Sequence, residues 1–300
     1  MGANGSAVEI EETPQPVRGG VPVWCRTCCA AALALLVIAA APARGQEPEP
    51  AGAAQAEDLA KQLSNPVANL VSVPFQFNWE QAVGHEDATR FVLNIQPVVP
   101  FSWSEEWNLI GRWIMPVVSQ PSLAPGLDSS FGLSDIVFSS FFSPKEPKRA
   151  VWGVGPVFAL PTTTDPTLGS GKWQAGPTAV VLKQSGPWTY GFLVNHLWSF
   201  ADASDDERAD VNRSFVQPFL AFGTPNGVTY NLASETTYDW EAASGEEWTA
   251  PVLVTVSKIT RFGPFPFSVG ASAGYYLDAP SIGPDWKLRT VFTLILPAKR

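Results

Sequence analysis

From Ala68 onward the chain alternates apolar and polar residues, in segments of about ten to thirteen residues. In the stretch VSVPFQFNWE, one alternate set contains only valine, phenylalanine and tryptophan, whereas the other contains Ser72, Gln76, Asn78 and Glu80. Successive side chains of a strand point to opposite faces, so a period of two predicts strands with one apolar and one polar face.

Twelve such segments are separated by glycine, proline, aspartate and serine. Their length matches the roughly 9–11 residues that a tilted strand needs to cross a bilayer, and it exceeds the usual 5–6 residues of strands in soluble proteins. The segments are Ala68–Glu80, Thr89–Phe101, Trp107–Val118, Phe131–Phe142, Ala150–Pro161, Lys172–Gln184, Pro187–Phe200, Asn212–Phe222, Gly227–Trp240, Glu247–Ile259, Pro266–Leu277 and Trp286–Leu296.

The largest aromatic residues lie at the ends of the apolar faces. A soluble sandwich would place them in the middle of its core, whereas a membrane barrel places them in two girdles at the membrane–water interfaces. The tryptophans concerned are Trp79, Trp107, Trp152, Trp173, Trp188, Trp198, Trp240, Trp248 and Trp286. Their positions favour a barrel.

The connections alternate between long, acidic stretches such as ADASDDERADV and mostly short ones such as SG and TPN. Outer-membrane barrels combine long outer loops with short periplasmic turns, and a sheet in hydrocarbon must close because unpaired backbone groups find no water there. The sequence therefore predicts an all-β protein: a transmembrane antiparallel up-and-down β-barrel of about twelve strands, give or take two, in a bacterial outer membrane with both termini periplasmic. Prolines inside the segments, among them Pro97, Pro116, Pro156, Pro177 and Pro218, are expected near strand ends or bulges, since each removes a ladder donor.

The predicted barrel, residues 68–300, follows two other regions. Residues 1–45 resemble a signal peptide, with an apolar run after Arg26 and small residues at Ala41 and Ala43; three glutamates ahead of Arg18 suggest a true start nearer Val21 or Val23. Residues 46–67 are predicted to form a linker and a short helix, which either plugs the lumen or lies in the periplasm. All three cysteines precede residue 30, so the mature chain has no disulfide.

Composition limits the partners and the chemistry. A net charge of −9 argues against nucleic acid, and the expected partners are outer-membrane lipid, lipopolysaccharide, the barrel assembly machinery and a small-molecule permeant. We predict no enzyme activity, no cofactor and no metal site. His196 and Ser199 differ in strand parity and so cannot pair as a nucleophile and its base. The acids of 202–210 are expected to form a solvated loop, although they would also suit a divalent cation.

The polar faces nominate residues that line the lumen. They are Gln76, Asn94, Gln96, Asn108, Arg112, Asp135, Gln217, Asn231, Glu235, Asp239, Lys287 and Arg289. Charged groups of this kind set selectivity along a conducting path. The alternative is a barrel filled by a structural network in which the arginines pair with Glu235 or Asp135, and which serves as a structural or adhesion protein with acidic loops.

Several motifs resemble a bacterial outer-membrane barrel family. They include NPVANLVSVPFQFNW, WNLIGRWIMPVVSQP, WGVGPVFALPT and GKWQAGPTAVVLKQSGPWTYGFLVNHLWS, and the resemblance extends from Asp58 to Lys299. The family is similar to proteins encoded beside meta-cleavage phenol-degradation enzymes, and some relatives carry the misleading label neuromedin U. The resemblance implies passage of small molecules, among them aromatic or hydrophobic compounds. Relatives tend to end near Phe-Pro-Lys, and an aromatic residue near the C-terminus is commonly part of the barrel assembly signal. This chain ends LILPAKR and so departs from that pattern.

Overall fold

The computed structural model describes residues 50–203, 208–263 and 265–296. The signal peptide expected over residues 1–45 lies outside the described residues. One helix, α1 (Pro50–Leu63), precedes the strands. The strands are β1 (Val71–Val83), β2 (Ala88–Ile95), β3 (Val98–Ser102), β4 (Trp107–Gln120), β5 (Ser130–Leu133), β6 (Ile136–Pro144), β7 (Val151–Leu160), β8 (Lys172–Ser185), β9 (Trp188–Asp202), β10 (Asn212–Gly223), β11 (Val228–Ser234), β12 (Thr236–Asp239), β13 (Trp248–Thr249), β14 (Pro251–Phe262), β15 (Phe265–Tyr276) and β16 (Trp286–Leu296).

The strands form one closed antiparallel barrel, as predicted. Four of the twelve barrel strands are each split into two segments, namely β2 with β3, β5 with β6, β11 with β12, and β13 with β14, which accounts for sixteen segments in all. The first and last strands pair from Val71 opposite Leu296 to Gln81 opposite Trp286. Every strand therefore has a neighbour on both sides, which leaves no open edge.

The two faces of the wall separate as the alternation predicts. On β16, Leu288, Leu294 and Leu296 are exposed on the outer surface, whereas Lys287 and Arg289 are buried inside. Exposed tryptophans cluster at both ends of the outer surface, for example Trp103, Trp152 and Trp188 at one end and Trp79, Trp173, Trp198, Trp240 and Trp248 at the other. The outer surface is that of a transmembrane barrel with two aromatic girdles.

The two ends of the barrel differ. At the end that we call the turn end, the connections are short, and two of them are only 186–187 and 224–227. At the opposite end, the loop end, they include 121–129, 161–171, 203–211 and 277–285. The loop expected from Gln81 onward is shorter than predicted, because β1 continues to Val83 through an irregularity in its register between Glu80 and Val83.

Proline positions correct one expectation. Pro97 lies at the break between β2 and β3, as expected, but Pro156 and Pro177 lie opposite each other in the middle of β7 and β8. Beside these prolines, the pairing of β7 with β6 is interrupted between Ser139 and Phe142 of β6. The pairing of β8 with β9 is likewise interrupted between Asn195 and Trp198 of β9. The missing donors are thus accommodated by gaps in the ladders rather than by strand ends.

Helix α1 lies within the turn end of the barrel. Ala60 is buried against the inward-facing Ile259 and Ile295, and Leu59 and Leu63 pack on the same cluster. The Lys61 carbonyl accepts a hydrogen bond of 2.9 Å from Gln184 at the end of β8. In the part of the chain that the structure describes, no helix is long and apolar enough to span a membrane.

Candidate functional site

The centre of the lumen contains an ion cluster built around Glu235. Its two carboxylate oxygens accept hydrogen bonds of 2.7 Å from Nη1 and Nη2 of Arg289 and one of 3.0 Å from Nζ of Lys287. The Arg289 Nε–H donates to Asn78 Oδ1. Both cations belong to β16, whereas Glu235 follows β11, and β14 and β15 lie between these two strands in the wall. The cluster therefore links strands that are not neighbours.

A local break in the strand positions Glu235. β11 ends at Ser234 and β12 begins at Thr236, with Glu235 between them. On the neighbouring strand, the Pro251 carbonyl accepts from the Glu235 N–H at 3.3 Å and from the Ser234 hydroxyl at 2.8 Å. Pro251 itself has no N–H to donate in return. The proline removes a ladder bond at the level where the carboxylate enters the lumen.

A second polar cluster lies nearer the loop end. Glu80 accepts hydrogen bonds from Arg90 Nε at 2.6 Å and from the Tyr276 hydroxyl at 2.8 Å. Tyr276 was not among the predicted lumen residues, because aromatic residues at segment ends suggest a girdle. Its strand parity, shared with the inward-facing Ser268 and Ser272, was the signal that would have placed it inside.

Arg112 faces a cavity of about 290 Å³ between the central ion cluster and helix α1. Its Nη2–H donates to Gln96 Oε1 at 3.1 Å, and Gln96 Nε2–H donates to Gln76 Oε1 at 3.0 Å. Gln96 lies between β2 and β3 and shares the parity of Asn94, the ladder partner of Gln76, so alternation turns it inward. Within the described residues, no carboxylate oxygen lies within 4.0 Å of the Arg112 guanidinium.

The structure brings together most of the predicted lumen residues but not all of them. Seven line the cavity at Arg112, and Lys287 contacts this group through its ion pair with Glu235. The seven are Gln76, Gln96, Arg112, Gln217, Asn231, Glu235 and Arg289.

Four predicted residues lie elsewhere. Asn94 is paired with Gln76 in the ladder but does not line the cavity, and Asn108 is buried near the turn end. Asp239 pairs with Arg213 at the loop end, 2.8 Å away. Of the two carboxylates offered as partners for the arginines, Glu235 is the one that pairs with Arg289. Asp135 Oδ2 instead accepts from the Ser170 N–H and hydroxyl, both at 2.7 Å, because it lies beside the 161–171 loop.

Between the cavity and the turn end, the lumen is filled. Val67, which follows α1, packs against inward-facing residues of the wall that include Ile110, Phe141, Leu182, Leu193 and Phe219. Helix α1 lines the cavity from this end through Ala60, Gln62 and Leu63. The alternatives of a plug and a periplasmic position are therefore resolved in favour of a segment inside the barrel.

At the loop end, Lys172 ties Asp210 of the 203–211 connection, together with Asp202 at the end of β9, to the wall. Lys172 Nζ lies 2.6 Å from Asp202 and 3.2 Å from Asp210. The hydrogen bond from the Lys172 ammonium, followed by that from the Ser199 hydroxyl, lowers the pKa of Asp210 below its ordinary value. Residues 204–207 lie outside the described residues, and in the described parts no group of three potential metal ligands gathers.

These contacts predict the behaviour of the loop. In Lys172→Gln the loop loses its ammonium anchor, so tryptic cleavage after Arg208 in the folded protein should become several-fold faster. Arg208 itself donates to the carbonyls of Pro166 and Gly169, which protects it only while the loop is in place. Lys183→Gln, on the exposed part of the same strand, is the matched control. Equal cleavage rates in the two variants would contradict the role of Lys172.

His196 forms an outward-facing cluster near the loop-end girdle. Its Nδ1 lies 2.8 Å from Ser214 Oγ and its Nε2 lies 2.9 Å from Asn212 Oδ1, whereas the Ser199 hydroxyl donates to Asp210. Trp240 Nε1–H also donates to Ser214 Oγ, at 3.0 Å. His196 and Ser199 are thus separate, as their parity predicts, and the hydroxyl beside the imidazole already accepts a hydrogen bond from the indole. The cluster joins polar groups at the girdle, where tryptophan is favoured.

Comparisons with known proteins support the fold. No protein-family model and no curated protein matches the chain. The structure is similar to that of a COG4313 outer membrane channel from Pseudomonas putida F1, with a TM-score of 0.59, 16% identity, and coverage of 77% of this chain and 97% of that one. It is also similar to the NanC porin (TM-score 0.49, 8% identity, 76% and 99% covered) and to outer membrane phospholipase A from Escherichia coli (0.45, 11%, 82% and 98%). Of these three, the first alone exceeds 0.5, and at these identities the likeness establishes an outer-membrane β-barrel fold.

Proposed function

We propose that the protein is an outer-membrane channel that lets small molecules pass through its lumen. The observation that carries this proposal is the polar cavity of about 290 Å³ in the centre of a barrel whose outer surface is apolar. A barrel that served only as a wall or an anchor would gain nothing from a charged cavity, because buried charges cost free energy unless they are well paired. The likeness to a solved outer membrane channel supports the same function.

The proposed orientation places the turn end and both termini in the periplasm and the loop end outside the cell. The acidic connections at the loop end would then meet lipopolysaccharide and the medium. Helix α1, which lines the cavity from the turn end, would make passage depend on movement of this segment, so the channel is gated rather than permanently open. Its resemblance to proteins of phenol-degradation operons supports aromatic or hydrophobic compounds as permeants.

A structural or adhesion role is the second candidate, favoured by the filled turn end of the lumen. The described residues offer little support for an enzymatic role: the Ser214 hydroxyl, which lies beside the His196 imidazole on the outer surface, already accepts a hydrogen bond from Trp240. The two candidates differ in one measurable property, which is whether solutes cross the barrel.

The lumen charges predict an ion preference. The two clusters and Arg112 together contain four cations and two carboxylates, so the centre of the lumen has an excess of positive charge. Purified protein in planar bilayers should conduct anions in preference to cations, and Arg112→Gln should move the reversal potential in a salt gradient toward zero. Lys145→Gln, in a turn outside the lumen, removes the same charge and should have no effect. No current from the full chain, nor from a chain without residues 46–63, would contradict the channel function.

A further inference from the structure

The cavity at Arg112 has an unmatched charge, and this determines the kind of molecule that it suits. We propose that the cavity binds a small organic acid whose carboxylate pairs with Arg112; this inference rests on the channel function and deepens it by naming the class of permeant. Three observations lead to it: the charge of Arg112, the orientation of its guanidinium, and the remaining wall of the cavity.

The first observation is that no carboxylate of the described residues forms a direct ion pair with Arg112. Glu235, which lines the same cavity, is already engaged by both nitrogen atoms of the Arg289 fork at 2.7 Å and by Lys287 at 3.0 Å. Glu80 is engaged by Arg90 and Tyr276. A half-buried cation without a directly bonded counter-ion is unfavourable, so an anion that enters the cavity gains a direct ion pair that the protein does not supply.

The second observation is that Arg112 is held in place while much of its donor edge faces the cavity. Its Nη2 is fixed by Gln96, which is itself fixed by Gln76. Among the described groups, none accepts a hydrogen bond from its Nε or Nη1. A guanidinium presents its N–H groups as a planar fork that matches the two oxygens of a carboxylate. The two glutamines thus pre-orient the fork before a ligand arrives.

The third observation concerns the rest of the cavity wall. One side presents hydroxyl groups, among them those of Thr229, Thr255 and Ser272, and the carboxamide oxygen of Asn231 is buried there without a hydrogen-bond partner in the described structure. The floor is formed by Ala60 and Leu63 of α1. At about 290 Å³ the cavity lies near the lower limit of roughly 300 Å³ for small-molecule pockets. It therefore suits an acid with a small body, apolar at one end, rather than an oligosaccharide or a peptide.

Calorimetry on the full chain in detergent tests the proposal, with benzoate and acetate as carboxylate probes and benzamide as the uncharged isostere of benzoate. Benzoate is expected to bind in a saturable manner, and benzamide about tenfold or more weakly, since a charged hydrogen-bonded pair is worth more than a neutral one. Arg112→Gln should weaken benzoate binding by a similar factor and leave benzamide unchanged. Arg112→Lys should recover part of the affinity, and Lys145→Gln should behave as the wild type.

Two results would overturn the proposal: no saturable binding of either carboxylate to the wild type, or equal binding of benzoate by the wild type and a folded Arg112→Gln variant. Folding of each variant is checked by the shift in electrophoretic mobility that intact barrels show on heating. The measurement does not depend on conduction, so it separates the two hypotheses. Benzoate binding without current would remove the channel function alone, whereas current without benzoate binding would remove the site alone.

Discussion

Opening the floor of the lumen should raise the conductance of the barrel several-fold. We expect this result for a chain without residues 46–63, because α1 then no longer covers the cavity from the turn end. The barrel itself should persist, since β1 begins after the deletion and pairs along its full length with β16. The measurement is single-channel conductance in planar bilayers, accompanied by swelling of liposomes in small sugars.

A point substitution gives a stricter form of the same experiment. Ala60→Asp places a charge where α1 packs against Ile259 and Ile295, and a buried unpaired carboxylate should drive the helix out of the barrel. Ala54→Asp makes the same chemical change on an exposed position of the same helix and should leave the conductance unchanged. If the two point variants and the deletion variant all conduct like the wild type, the helix does not limit passage.

The largest loss of stability is expected for Glu235→Ala. The substitution leaves Arg289 and Lys287 buried without their carboxylate, and removing one partner of a buried ion pair typically costs about 3–5 kcal/mol. Urea unfolding of the barrel in detergent, followed by tryptophan fluorescence, measures the change. Glu105→Ala, an exposed glutamate in a turn, is the control and should change the free energy of unfolding by less than about 0.5 kcal/mol.

A triple variant separates loss of the ion cluster from loss of packing. In Glu235→Leu, Lys287→Met and Arg289→Met combined, no charge of the cluster remains, and apolar replacements of buried ion clusters are often neutral or stabilising. The triple variant should therefore unfold at higher urea than Glu235→Ala. If Glu235→Ala were as stable as the wild type, the cluster would be too hydrated to matter, and the interior would be wetter than its buried side chains indicate.

Sequence reasoning was most successful where only the face of a strand mattered. The period of two placed Arg112, Glu235 and Arg289 on the inner face, because alternation is a local property of each strand. It offered Glu235 and Asp135 as alternative partners for the arginines and could not choose between them, whereas in the structure Arg289 meets Glu235, 54 positions away along the chain. That pairing depends on strand order, on register and on the break beside Pro251, all of which are properties of the closed sheet.

The position of each residue along the barrel axis was the other property that the sequence did not provide. Asp135 and Asp239 have inward parity, yet both lie near the loop end and pair with Ser170 and Arg213. The position of a residue along the membrane normal depends on the stagger between strands, and irregularities such as that between Glu80 and Val83 shift it. Tyr276 was missed for a related reason, since residue type suggested a girdle while parity indicated the interior.

The pairing of β1 with β16 also constrains the order of assembly. Val71 and Leu296, which meet at this seam, are separated by 225 positions, so the ring cannot close until nearly the whole polypeptide has been delivered. Contacts this remote form late and slowly, and until then both terminal strands present bare edges to other chains. Helix α1 is synthesised before any strand, yet Ala60 rests on Ile295 of the last one. Helix α1, the first element of the described chain to be made, is therefore among the last to find its place.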